Sequence, residues 1–217
     1  MRQIAVIGLS TFGLALVRSL VKERCRVLAV DIDEGKVNAV RDLVDEAVIA
    51  DTRDPRALRA LRMTDYDVIV LSLGEPLDAS LLAVLHLRDL GVTNIVAKAV
   101  SEDHRRLLLQ LGVEETIFPE ADTAQRTART LSNPGLLDTL KLGEDILLVE
   151  TASPDELIGH TLADLDFRHK HSVTVVAIHD MLRNEIRVNP DPHVPITNSD
   201  SLIVLGKDED IRRFTKR

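Results

Sequence analysis

The chain has 217 residues and a formal net charge of −8, from 27 Lys plus Arg against 35 Asp plus Glu, and its five aromatic residues include no tryptophan. Duplex nucleic acid asks for a concentrated basic surface and single strands ask for aromatic stacking platforms, so this composition argues against either as a partner. The lone Cys25 excludes a disulfide framework and fits a reducing compartment; Met1-Arg2-Gln3 leads straight into a strand, so no signal peptide is expected, and no run approaches the ~20 apolar residues of a membrane helix.

The first expected strand, Gln3 to Ile7, runs into Gly8-Leu9-Ser10-Thr11-Phe12-Gly13, then a helix over Thr11 to Lys22 and a second strand over Arg26 to Val30 that ends in Asp31. This order suits a nucleotide, because the helix points its unpaired amides and positive dipole end at whatever sits above Gly8. Phosphate is the obvious guest. Asp31 lies 23 positions after Gly8, near the ~20 expected for a carboxylate that accepts hydrogen bonds from ribose hydroxyls, and it would repel a 2′-phosphate. Ser10 replaces the middle glycine of G-x-G-x-x-G, so a side chain stands where backbone would approach a pyrophosphate most closely. A plainer reading assigns Gly8 and Gly13 only to the turn and to close helix packing.

Further strands are expected at Glu46 to Ala50, Asp67 to Leu71, Asn94 to Ala97 and Glu115 to Phe118, with helices near Glu34 to Arg41, Pro55 to Arg62, Pro76 to Leu90 and Ser101 to Leu111. The alternation defines the fold class as α/β, a Rossmann-like doubly wound parallel sheet of six strands over residues 1–118. Ligands of such sheets sit outside the carboxyl ends of the strands, here Gly8, Asp31, Asp51, Ser72, Lys98 and Glu120. Asp51 and Ser72 read equally well as ordinary turn formers. Lys98 interrupts the apolar run Ile95 to Val100, where a charge usually has a partner or a ligand. Glu120 also suits the first turn of the next helix.

That helix, Pro119 to about Leu131, places Ala121, Ala124, Ala128 and Leu131 on one face, with Arg126 and Arg129 off it. Small residues let another helix approach closely, and the face reads as an oligomer contact. Asn133-Pro134-Gly135 breaks the helix, so residues 119–143 are expected to form a crossover helix and linker, and 144–217 a small α+β module. Strands are expected there at Ile146 to Thr151, Val173 to Ile178, Glu185 to Val188 and Ser201 to Leu205, and helices near Leu157 to Leu165 and Lys207 to Phe214. His169 and His171 flank Lys170 without cysteine or acid at ligand spacing, so they read as a solvated loop and no metal is expected.

Taken together, these patterns resemble the RCK or KTN regulatory subunits (TrkA-N plus TrkA-C) of Ktr- and Trk-type potassium uptake systems, over essentially the whole length. The resemblance is carried by Val6-Ile7-Gly8-Leu9 with Phe12-Gly13, Val30-Asp31, Ala50-Asp51-Thr52, Ala97-Lys98-Ala99, Pro119-Glu120 and Ala124-Gln125-Arg126 through Gly135. In the second module it is carried by Gly159 through Leu165, Val175-Val176-Ala177-Ile178, Pro190-Asp191-Pro192 and Asp200 through Gly206. It implies a cytoplasmic regulator, peripheral on the inner face of the cell membrane through its partner, with no catalytic residues. It also implies an adenine nucleotide (NAD, NADH, ADP, ATP or AMP), self-association to a dimer and an octameric ring, and a potassium-translocating membrane subunit as partner. On that resemblance Gly8, Ser10, Thr11, Phe12 and Gly13 would cradle phosphates. Asp31, with Ile32, would take ribose; Asp51 and Thr52 would flank adenine; Ser72, Leu73 and Lys98 would line the same cleft; Glu120 would sit near phosphates or a cation. Relatives commonly carry Gly-x-Gly-Arg-Phe-Gly, so Ser10 and Thr11 remove a cation that could meet a terminal phosphate, which counts against a preference for ATP. The rival readings are a nicotinamide-dependent oxidoreductase, which would need more than a module of about 75 residues to enclose a substrate, and a redox-responsive transcription regulator, which would need a basic recognition helix.

Overall fold

A computed structural model describes residues 1–133 and 135–215, and the chain divides into two compact units, Met1–Pro119 and Glu120–Arg217. Pro134, at the expected helix break, and the last two residues lie outside the described residues.

The first unit is a six-stranded parallel sheet of β1 (Gln3–Ile7), β2 (Arg26–Asp31), β3 (Glu46–Ile49), β4 (Val68–Leu71), β5 (Ile95–Lys98) and β6 (Glu115–Ile117). Its spatial order is β3-β2-β1-β4-β5-β6, and every pairing is parallel. Helices cover both faces: α1 (Thr11–Lys22), α2 (Glu34–Asn38), α3 (Pro55–Ala60), α4 (Leu77–Asp89) and α5 (Glu102–Gln110). The order reverses between β1 and β4, which opens a crevice above their carboxyl ends.

Why the strands read as unbroken apolar runs is plain from packing. In β1, Ala5 and Ile7 join a core on one face with Leu28, Ile69 and Leu71, while Ile4 and Val6 join a second core with Val27, Ala29 and Val17 of α1. Both faces are buried, so both sets of alternate residues must be apolar. Each fully buried Leu or Ile here contributes roughly 1.5–3 kcal/mol. The helices start where side chains satisfy their first amides: Asp33 Oδ1 accepts from the Gly35 and Lys36 amides at 2.7 and 3.2 Å, Asp54 from Arg56 at 2.9 Å and Ser101 from His104 at 3.1 Å. Such caps give the first-turn amides the partners the helix itself cannot supply.

The second unit begins with α6 (Pro119–Ser132 as an element) and continues as a five-stranded antiparallel sheet in the order β10-β9-β11-β8-β7. Its strands are β7 (Leu136–Lys141), β8 (Ile146–Ala152), β9 (Thr174–Asp180), β10 (Glu185–Val188) and β11 (Asp200–Lys207). Short helices α7 (Leu162–Leu165) and α8 (Phe167–His171) precede β9, and α9 (Asp208–Thr215) follows β11. One core gathers Leu147, Val149, Phe167, Leu202, Val204, Ile211 and Phe214.

Four expectations are corrected. The segment up to Gly143 is not a bare linker: β7 occupies it and pairs with β8. The helix expected over Leu157 to Leu165 is split, because Gly159 adopts φ +84° and Thr161 opens a new helix through a capping box with Asp164. The helices α2 and α3 also stop earlier than expected, at Asn38 and Ala60.

Candidate functional site

At the switch between β1 and β4 the structure forms a cavity of about 260 Å³. Eight of the expected residues line it: Gly8, Ser10, Asp31, Ile32, Asp51, Thr52, Ser72 and Leu73. They come from the tips of β1, β2, β3 and β4, which a parallel sheet brings to one rim.

The glycine turn is built by exclusion. Gly8 has φ +92°, and a Cβ there would lie 2.7 Å from the Ser72 carbonyl oxygen. At Gly13 a Cβ would lie 2.1 Å from the Gly8 carbonyl oxygen, so α1 presses directly on the turn. Gly13 does not line the cavity; what the geometry shows for it is close packing. Ser10 caps α1, accepting from the Gly13 amide at a long 3.4 Å, and its hydroxyl meets that of Ser72 at 2.8 Å across the floor.

Asp31 is 8% exposed and already engaged. Its Oδ2 accepts from the Leu9 amide at 2.6 Å, its Oδ1 from the Asp33 amide at 2.9 Å, and Lys36 Nζ stands 3.6 Å from Oδ2. A carboxylate has about four acceptor sites, so capacity remains for a sugar hydroxyl. Asp51 is gripped by Arg53, whose Nε and NH2 groups donate at 2.9 and 2.7 Å in a two-pronged fork. Hydrogen bonding from the Arg53 side chain holds the Asp51 carboxyl below its ordinary range. Ile32, 61% exposed, stands at the mouth.

Other expected residues fall elsewhere. Among the described residues, Thr11, Phe12, Gly13 and Lys98 do not line this cavity. Thr11 and Phe12 lie in the first turn of α1, Lys98 ends β5, and Glu120 belongs to the second unit in the first turn of α6. Sequence reasoning missed Lys36, Arg53 and Glu75, which also line the cavity. The signal for Arg53 was present, since a guanidinium two residues after a strand-end aspartate can reach back to it; Lys36 and Glu75 carry no comparable pattern. His169 and His171, expected in a solvated loop, lie instead in the short helix α8, where His169 Nδ1 meets Asp166 Oδ1 at 2.6 Å on the surface of the second unit.

A parallel sheet in this order, with a glycine turn under a helix and an acid at the end of the second strand, defines a Rossmann-type domain, here joined to a small antiparallel module. Residues 4–119 match the TrkA-N domain and residues 146–217 the TrkA-C domain; the chain belongs to the family that combines the two. It is 38% identical to the Ktr system potassium uptake protein C of Bacillus subtilis (strain 168), over 100% of this chain and 97% of that protein. It is 33% identical to the Ktr system potassium uptake protein A of the same organism, over 98% and 95%. Among solved structures, the GsuK RCK domain superposes with a TM-score of 0.68 at 16% identity, covering 99% of this chain and 47% of that one. The GsuK channel bound to NAD gives 0.55 at 20% identity, covering 100% and 38%. The chain thus spans less than half the length of these structures, which share its fold. Among the described residues no helix is long and apolar enough to cross a membrane.

Proposed function

We propose that this chain is the nucleotide-sensing regulatory subunit of a potassium uptake system, working on the cytoplasmic face of the membrane with a potassium-translocating membrane partner. The observation that carries the reading is the convergence of Gly8, Ser10, Asp31, Asp51, Thr52 and Ser72 on one cavity at the switch point of the sheet. Supporting it are the full-length likeness to two potassium uptake proteins and a fold shared with a channel solved with NAD bound. Adenosine fits the cavity's chemistry: Asp31 accepts from the ribose hydroxyls, exposed Ile32 offers apolar cover for the base, and the α1 end above Gly8 and Ser10 faces phosphate.

The charges on the wall favour few phosphates over many. Asp31, Asp51 and Glu75 oppose Lys36 and Arg53, and each of those cations faces a carboxylate. A triphosphate tail therefore finds no uncommitted cation on this wall. A ligand regulates only by its differential affinity for two arrangements of the protein. Self-association through α6, in a dimer and then a ring, supplies the arrangements, since none of that helix's 14 residues is buried within the chain.

The test is calorimetry of the full chain with NADH, AMP, ADP and ATP, repeated on Asp31→Asn, which keeps an acceptor for the turn. NADH or AMP is expected to bind at least as tightly as ATP, with the variant weakened about tenfold or more, the scale of a lost charge-assisted hydrogen bond. Binding of no adenine compound, or ATP far ahead of the others, overturns the reading.

A further inference from the structure

The second unit holds a cleft that the nucleotide reading does not use. It has a volume of about 640 Å³ and opens between α6 and β7. Arg126 and Arg129, one turn apart on the helix, face it together with Thr139 and Lys141 of the strand, and Asp122 is the one carboxylate on its wall. The lining therefore carries three cations against one acid, in a chain whose net charge is −8.

Two further observations set the cleft apart. Among the described residues, none of its three cations is held in a salt bridge, whereas Arg53, Arg187 and Arg212 each close on an aspartate. Asp208, the acid whose carboxyl also feels Arg129 and Lys141, is taken by the Arg212 fork at 3.0 and 2.9 Å. Thr139 is 6% exposed and its hydroxyl has no hydrogen-bond partner. Buried hydroxyls normally have a partner, so the Thr139 hydroxyl is a polar group available at the wall of this cleft beside its cations.

We propose that this cleft binds a small phosphorylated anion, gripped by the guanidinium groups of Arg126 and Arg129 and by the Lys141 ammonium. Planar guanidinium forks match the paired oxygens of a phosphoryl group, and two forks a turn apart with a point charge opposite suit more than one such group. A cleft of this volume has the size of a small-molecule site. The site is separate from the crevice of the first unit and does not depend on what that crevice binds.

Inorganic pyrophosphate serves as probe, titrated by calorimetry into the full chain and into R126Q/R129Q, with the Thr139 amide resonance reporting on where it binds. Both arginines sit on a helix with no buried residue, so the double variant is expected to fold. Pyrophosphate is expected to bind the parent, to weaken about tenfold or more in R126Q/R129Q, and to shift the Thr139 amide resonance. The double variant is expected to keep its NADH and AMP affinities, which separates this proposal from the reading of the first crevice. The proposal is overturned by no pyrophosphate binding, by equal affinity in the double variant, or by binding that leaves the Thr139 amide resonance unmoved. It is equally overturned by a changed oligomeric state in the double variant, which would assign the arginines to a second copy. Arginine-dependent pelleting with phosphatidylglycerol vesicles would overturn it too, assigning them to a lipid surface.

Discussion

Gly13 has no room for a side chain, and the reason lies in the turn beneath it. A Cβ placed 2.1 Å from the Gly8 carbonyl oxygen sits more than 1 Å inside ordinary van der Waals contact, so α1 or the turn must move. We expect Gly13→Ala to lose about 3 kcal/mol or more, at the upper end of overpacking costs, read as a lower urea midpoint at unchanged slope. A wild-type midpoint would show that the turn yields without cost. Ser10 makes the opposite case: a side chain is tolerated at the position where the fingerprint has glycine because its hydroxyl turns to Ser72, 2.8 Å away, rather than into open crevice. The sequence marked Ser10 as a departure but could not show where its hydroxyl goes, because Ser72 lies 62 residues further on.

The helices α4 and α5 are tied by a buried pair. His104, 1% exposed, accepts the Val100 amide at Nδ1 (3.4 Å) and meets Ser80 Oγ through Nε2 at 2.9 Å, while Ser80 donates to the Leu77 carbonyl at 2.8 Å. That pattern fixes the neutral ring with its proton on Nε2. Burial pushes the His104 pKa down from its ordinary value near 6.5. The unfolded chain therefore takes up this proton first, and the associated stability is complete above about pH 6.5 and declines as pH falls toward the lowered folded value. His104→Gln is expected to flatten that decline in denaturation curves at stepped pH; an unchanged slope would count against it. Elements with a clean period were legible in the sequence, as the matching bounds of α1 and β10 illustrate. What stayed hidden had a physical cause. In β7 a register shift between Leu136 and Asp138 places the buried positions three apart, at Leu136 and Thr139, so the two-residue alternation that marks a strand is absent. The five residues of α8 begin after Asp166 at φ +44° and carry four basic side chains, a pattern that resembles a solvated loop. For the candidate site, strand-end residues announce themselves by following apolar runs, whereas Lys36 and Glu75 reach the cavity from positions with no such mark.

Each unit carries its own hydrophobic core, with that of the second gathered on one face of its sheet. Against this, α6 is the exception: Ala121, Ala124, Ala128 and Leu131 share a face, and Leu131 is 79% exposed. On the self-association proposed above, this helix, none of whose residues is buried within the chain, is covered by a second copy. We expect Ala128→Glu to lower the mass measured by light scattering, with the fold of each unit retained by circular dichroism; an unchanged mass would remove α6 from the interface. Asp31 shows how such an assembly could sense its ligand. One carboxylate fastens Leu9, from the loop that follows β1, to Asp33, from the loop that follows β2. A sugar hydroxyl that takes an acceptor site left on this carboxylate would add a third tie to the same post, so that an occupied crevice holds both loops through its guest as well as through the chain.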